Sequence, residues 1–397
     1  MNETQELLRS WHSLEDGGER MILATLVRTG GSSYRRAGAR MLMTEQRWLA
    51  GGISGGCLEG DLLRKAWWHT EGGRTSRIAY DTTGDDDDVR GGFGLGCNGR
   101  LELLLEQLST DDPVHPLRFI ERCFTAREPG AMATIVRTGH LESNLGQRLL
   151  YDGTGRIACN IADSKLAASI ERAAASALER EHSVHLTLDA AGAPCADGEI
   201  DVFVEVILPP RPLVVFGANY DVRAVVRQAK CVGWEVTVVA RRMSAEAREG
   251  LALADRIVMG SPADVAIGHR TAVLVMTHNY ESDRAILESV LPSPAPYIGI
   301  LGPRARAERL LSEILRAGAG VTRAQLARVR APVGLDLGAD GPAEIALSMI
   351  AEIQSAMADG SARPLSEVKR AELKSSHEPR VGVAEVPDTG ARLRKLG

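Results

Sequence analysis

Two cysteines stand in glycine-rich turns, Cys57 in GGISGGCLEGD and Cys97 in GLGCNGR. Gly55, Gly56 and Gly96 flank them and leave little side-chain bulk around either thiol. Glycine permits positive φ and close backbone approach, and successive N–H groups in such turns form anion-binding nests. A helix is expected to start near Leu58, which places Cys57 at its N-terminus, where the dipole lowers a thiol pKa. A thiolate there has the chemistry to bind a soft metal or to exchange sulfur. The plain alternative is two tight turns whose cysteines fill space. Glu59 and Asp61 read as ordinary first-turn acids of that helix or as part of a site.

A second polar stretch, Ser32, Ser33, Arg35, Arg36 and Arg40, offers hydroxyl and guanidinium donors suited to a phosphate, or a plain surface loop. In the C-terminal half, the turn Gly217-Ala218-Asn219-Tyr220-Asp221-Val222 keeps only the first glycine of a dinucleotide fingerprint. Asn219 and Val222 replace the other two. The following strand ends Val239-Ala240-Arg241-Arg242, without the acid that grips an NAD ribose. Ordinary NAD binding is therefore disfavoured, and the arginines suit a phosphate instead. His278, in Thr277-His278-Asn279, and Arg304, in Leu301-Gly302-Pro303-Arg304, also follow apolar strands and point to the same crevice. His278 is either a ligand contact or proton shuttle or a residue that orients its turn.

The elements that must position these groups read in two styles. MILATLVRTGGSS, RMLMT, RWLAGGIS and LELLLE are strand-like, and LLRKAWWHTEGG is helical. The chain then repeats. ATLVRTG (24–30) recurs as ATIVRTG (133–139), RMLMT as RLLYD from Arg148, RWLAGGIS as RIACNIAD, and LELLLE (101–106) as IDVFVE (200–205). Four matches in order imply two similar β-containing units. The glycine-cysteine loops occur only in the first, with Cys57 aligned to Lys165, which points to a site there. After the PPRP linker, strand–turn–helix segments follow one another as in a parallel sheet. The expected fold is α/β: an N-terminal α+β region of two units (1–110 and 111–208), a Rossmann-like parallel-sheet domain (209–360), and a polar tail (361–397).

With 397 residues, 44% apolar content and a net charge of −5, the chain supports several cores. It carries no basic excess that would imply nucleic acid. No apolar run spans a membrane and the N-terminus lacks a signal-peptide pattern, so a cytoplasmic location is expected. The six cysteines show no CxxC pair. Cys123 and Cys231 sit among helix-like neighbours and read as buried fillers.

TGGSSYRRAGARMLM, GGISGGCLEGDLL, GGFGLGCNGRLELLLE, VLVMTHNYESDRAIL, YIGILGPRARAERLL and GLDLGADGPAEIALSMIAEI occur in the order seen in the XdhC/CoxI family, which this chain resembles. Members of that family serve molybdenum hydroxylases such as xanthine dehydrogenase. The resemblance implies a chaperone that binds molybdopterin cofactor, in its simple or dinucleotide form, and presents it to a cysteine desulfurase for sulfuration. It also implies insertion of the cofactor into the apo-hydroxylase. By that analogy Cys57 and Cys97 contact the cofactor or its metal, with Gly55, Gly56, Gly96, Glu59, Ser32, Ser33, Arg36 and Arg40 around them. Gly217, Asn219, His278 and Arg304 would hold a phosphate or nucleotide. Family members commonly show GAGHD where this chain has GANYD, which disfavours nucleotide binding at that turn. A homodimer is expected by base rates. The competing reading is an NAD(P)-dependent oxidoreductase using the Rossmann-like domain.

Overall fold

The computed structural model describes residues 3–15, 17–31, 34–56, 58–81, 99–139, 144–316 and 320–368. These form two compact units. One holds nearly all of residues 19–207; the other runs from Leu208 and includes Met1–Gly18.

The helix α1 (Glu3–Glu15) comes first. The first repeat then contains β1 (Ile22–Gly31), β2 (Arg40–Met43), β3 (Trp48–Gly51), α2 (Glu59–His69), β4 (Ser76–Asp81) and β5 (Gly99–Gln107). The second begins with α3 (Pro116–Ala126) and continues with β6 (Gly130–Arg137), β7 (Arg148–Asp152), β8 (Gly155–Cys159), α4 (Ser164–Glu179), β9 (Val184–Leu188) and β10 (Ile200–Ile207). The sheet orders are β3-β2-β1-β5-β4 and β8-β7-β6-β10-β9. These are the same topology, so the repeat legible in the sequence is a repeat of fold. Even the local turns match: Leu26 and Ala39–Gly38 exchange the backbone bonds that Ile135 makes with Gln147–Gly146.

Each sheet has two differently used faces. One packs on its own helix. In the second repeat, Leu166, Ala167, Ile170, Ala174 and Ala177 of α4 cover Ala131, Ala133, Ile135 and Val204. Their helical spacing gives one apolar stripe, and its alanines allow close approach. The other faces meet each other around Val27, Leu104, Val136 and Phe203. Val27 corresponds to Val136 and Leu104 to Phe203 in the repeat, so this core is built of equivalent positions. Beside it lie two buried ion pairs, each running from one repeat to the other. Arg40 on β2 grips Glu205 on β10 with both guanidinium nitrogens (Nη1–Oε1 2.9 Å), and Arg148 on β7 grips Glu106 on β5 at 2.9 and 2.7 Å. Arg40 is the counterpart of Arg148 and Glu106 of Glu205, so the pairs are reciprocal.

The second unit contains β11 (Pro212–Phe216), α5 (Tyr220–Cys231), β12 (Glu235–Ala240), α6 (Ala245–Gly250) and β13 (Arg256–Met259). It continues with β14 (Ala272–Val275), α7 (Tyr280–Val290), β15 (Tyr297–Ile300), α8 (Arg304–Arg316), α9 (Arg323–Ala327), β16 (Val329–Arg330) and α10 (Pro342–Met357). The strands are parallel in the order β13-β12-β11-β14-β15-β16. The strand runs LVVF, VTVV and AVLV are nearly continuous apolar stretches, as expected of strands covered on both faces. Sequence order reverses between β11 and β14, the switch point at which open sheets of this kind bind ligands. Pro342 starts α10, with Gly341 as its cap and Glu344 accepting from the Asp340 and Gly341 N–H groups. Among the described residues, no helix is long and apolar enough to cross a membrane.

Cys123 is buried as expected, and burial pushes its thiol up to about 12. Cys231 is exposed at the end of α5, not buried, because its helix turns that position away from the core held by Val222, Val225, Val226 and Ala229.

Candidate functional site

The loop between β3 and α2 closes on one carboxylate. Glu59 Oε1 accepts from the N–H groups of Ile53 and Ser54, each at 2.8 Å. Its Oε2 accepts from Ser54 Oγ at 2.6 Å, Gly56 N at 3.0 Å and Leu58 N at 3.2 Å. Ser54 Oγ also accepts from Leu58 N at 2.8 Å. Glu59 is only 2% exposed. Burial alone would raise its pKa, but the Ser54 hydroxyl and the Ser54 and Ile53 N–H groups outweigh burial and hold it at about 2.

This corrects two expectations. The protein's own Glu59 takes the Ile53, Ser54, Gly56 and Leu58 N–H groups of the loop, so these four are not free for a phosphate. Glu59, expected beside the cofactor, commits both carboxylate oxygens to the loop itself. Asp61 is likewise internal: burial raises its pKa, yet Lys65, Tyr80 and Arg64 outweigh that and lower it.

Comparison of the repeats isolates what is special here. In the second repeat, Asp163 caps α4 by accepting from Lys165 N and Leu166 N. The equivalent cap of α2 is Leu58, which has no capping side chain. The strand-to-helix loop is seven residues long in the first repeat (52–58) and four in the second (160–163). Leu58 thus corresponds to Asp163, which shifts the alignment of Cys57 away from Lys165. Gly55 and Gly56 have φ of 84° and 113°. A Cβ at Gly55 would meet the ring of Tyr34 at 3.3 Å, whereas one at Gly56 would meet none of the described residues within 4 Å. Among the described residues the loop is therefore open at Gly56, and the exposed Tyr34 lies beside Gly55. Gly56 and Leu58, on either side of Cys57 in the sequence, are both tied to Glu59.

Cys57, Cys97, Gly96, Ser32 and Ser33 lie outside the described residues. Among the described residues, no group of three or more His, Cys, Asp or Glu is arranged to hold a metal ion. Arg36 is exposed on the turn leading into β2. Arg40, expected to hold a phosphate, is buried and committed to Glu205 and the Gly38 carbonyl (2.9 Å), so it is a structural cation.

At the switch point of the parallel sheet, a cavity of about 180 Å³ opens beyond the strand C-termini. Gly217 lines it and has φ 128°; a Cβ there would sit 2.4 Å from the Met276 carbonyl oxygen, so only glycine fits. Arg241 and Arg242, read as suited to a phosphate, line it as well, whereas Asn219, His278 and Arg304 do not. Asn219 folds its Oδ1 back towards Gly217 and leaves Nδ2 buried without a hydrogen bond. His278 adopts φ 58° and turns to Asp221, with Nε2 3.6 Å from Oδ2. Arg304 begins α8, beyond β15. In place of His278, its neighbours Thr277 and Asn279 join the lining, together with Ser261.

The Thr277 turn is anchored by Asp283, whose side chain is 1% exposed. Asp283 Oδ1 accepts from Thr277 N (3.2 Å) and from the Thr277 hydroxyl, and Oδ2 accepts from Arg306 Nη2 at 2.7 Å. The Asp283–Arg306 pair is not legible from the sequence, since its members stand 23 residues apart on different helices. The signal is a lone acid on the core face of α7.

Comparison with known proteins agrees with both units. Residues 14–81 match the model of the XdhC and CoxI family, and residues 213–353 match that of the XdhC Rossmann domain, together just over half of the chain. A Bacillus subtilis protein named as a probable xanthine dehydrogenase subunit is 28% identical over 344 residues, covering 86% of this chain and 94% of that one. The Escherichia coli molybdenum cofactor insertion chaperone PaoD is 22% identical over 342 residues, covering 85% and 84%. A crystal structure described as a xanthine dehydrogenase from Bacillus halodurans superposes with a TM-score of 0.68 at 26% identity, covering 94% of this chain and 99% of that one. With the same two domain types in the same order, the chain belongs to the XdhC/CoxI family.

Proposed function

We propose that the protein is a molybdenum cofactor insertion chaperone for a xanthine dehydrogenase-type molybdenum hydroxylase. The reading rests on family membership and on the likeness to PaoD over most of both chains. The observation that carries it in this molecule is the Glu59-organised loop: three residues longer than its counterpart, open at Gly56, and present in only one repeat. Such a loop fits a bulky heterocycle brought close to the chain at Cys57. The molybdenum cofactor, when bound, would supply a metal with affinity for soft sulfur ligands. Cys57 and Cys97 would be its contacts, and Glu59 holds the chain on either side of Cys57. The Ile53, Ser54, Gly56 and Leu58 amides are already bonded to Glu59, so the cofactor's phosphate would be held by other groups.

In this reading the protein shields the cofactor, supports its sulfuration by a cysteine desulfurase, and delivers it to the apo-hydroxylase, working as a homodimer in the cytoplasm. The direct test is cofactor capture. The full chain is purified from cells making molybdenum cofactor, and bound pterin is measured fluorimetrically after oxidation, alongside metal content. Pterin above a control protein, lost in Cys57→Ala, is expected. Pterin at the control level in the unaltered protein would sink the chaperone reading.

A further inference from the structure

The cavity of the parallel sheet has a charge pattern that cofactor delivery does not use. Its lining holds two arginines and no carboxylate. Arg241 and Arg242 follow β12 directly and are exposed. Neither guanidinium has a hydrogen-bond or ion-pair partner among the described residues. In sheets of this strand order, the end of the second strand meets the ribose of a bound nucleotide. A carboxylate there accepts from a free diol, whereas arginine receives a phosphate.

The remaining walls suit the rest of a nucleotide. Phe216, Val239 and Ile286 supply apolar surface, and Gly217 gives close backbone approach. Asn279 uses its Oδ1 to cap α7 at Ser282 N (2.9 Å), which leaves its amide donors for the cavity.

We propose that this cavity binds a nucleotide with a phosphomonoester on its ribose, clamped by Arg241 and Arg242, and selects against nucleotides with a free ribose diol. The ligand class is that of a 2′-phosphorylated adenine nucleotide such as NADP(H), not NAD(H). Binding alone is assigned, with no hydride transfer. The proposal uses neither cysteine loop and does not depend on the chaperone reading. The pterin cofactor's own phosphate shares this chemistry, so the experiment separates the two sources.

The full chain, and its Arg241→Ala/Arg242→Ala variant, are titrated calorimetrically with 2′,5′-ADP, 5′-ADP, NADPH, NADH and CDP. The same proteins are assayed for copurified pterin. Both arginines are exposed, and circular dichroism checks that the variant is folded. The expected result is about tenfold or greater preference for 2′,5′-ADP over 5′-ADP and for NADPH over NADH. The double variant should lose that preference while keeping its 5′-ADP affinity. Equal affinities, absence of binding, or a preference unchanged in the variant would overturn the proposal. So would loss of pterin in the variant without any adenine-nucleotide preference, which would reassign the arginines to the pterin phosphate.

Discussion

Glu59→Gln isolates the electrostatic part of the cysteine loop, because the amide keeps the shape and loses the charge. The Glu59 carboxylate accepts from four backbone N–H groups and one hydroxyl. Its pKa falls from 4.5 to about 2, which corresponds to about 3 kcal/mol of preference for the ionised form. A glutamine can still accept at one oxygen, but its NH₂ would face donors at Gly56 and Leu58. The expected cost is therefore about 1.5–3 kcal/mol, or about ten- to a hundredfold in local opening. The assay is native-state hydrogen exchange at pH 7, read at the Ile53, Ser54, Gly56 and Leu58 amides. Sheet amides such as Val214 and Val273 serve as internal controls that should not move. The pH dependence has a definite sign. A depressed carboxylate pKa stabilises above about pH 4.5 and loses that contribution as pH falls towards 2. The gap between the two proteins should therefore close over that window. Loop protection within about twofold of the unaltered protein at pH 7 would refute the claim that the carboxylate organises this loop.

The reciprocal ion pairs make a second test. Arg148→Met alone strands buried Glu106 and should cost about 3–5 kcal/mol, while adding Glu106→Leu should recover most of it; urea unfolding of both variants checks this. Asp283→Asn can still accept from Thr277 through its one oxygen, but its NH₂ then faces Arg306 and the charge that held that guanidinium is lost. A loss of about 2–4 kcal/mol should appear in thermal unfolding, with weaker nucleotide binding in the switch-point cavity. Gly217→Ala places a Cβ against the Met276 carbonyl at positive φ. It should destabilise the parallel sheet by about 1–3 kcal/mol, measured by the same unfolding.

The repeat was legible because strand pattern is local: ATLVRTG and ATIVRTG carry the same alternation and fold to β1 and β6 in equivalent sheets. The parallel sheet was legible for a similar reason, its strands being apolar runs between glycine turns. Site residues were harder, because a charge in sequence does not reveal what it faces. Arg40 read as a phosphate ligand until the second sheet placed Glu205 beside it. His278 read as lining the crevice, but its positive φ turns it aside and leaves Thr277 and Asn279 there.

The repeat itself held the signal that separates these cases. Arg40 and Glu106 recur as Arg148 and Glu205, and a charge present in both copies belongs to what both copies share, which is their packing on each other. Glu59 does not recur; the second copy closes the same helix with Asp163 from just outside it. An acid one residue inside the helix can reach back over a longer loop, whereas an acid at the cap serves a short one. The three additional residues and the shifted carboxylate therefore go together as one change. They replace a capped helix start by a longer loop in which Gly56 and Leu58 are both tied to Glu59, built where one copy departs from the other.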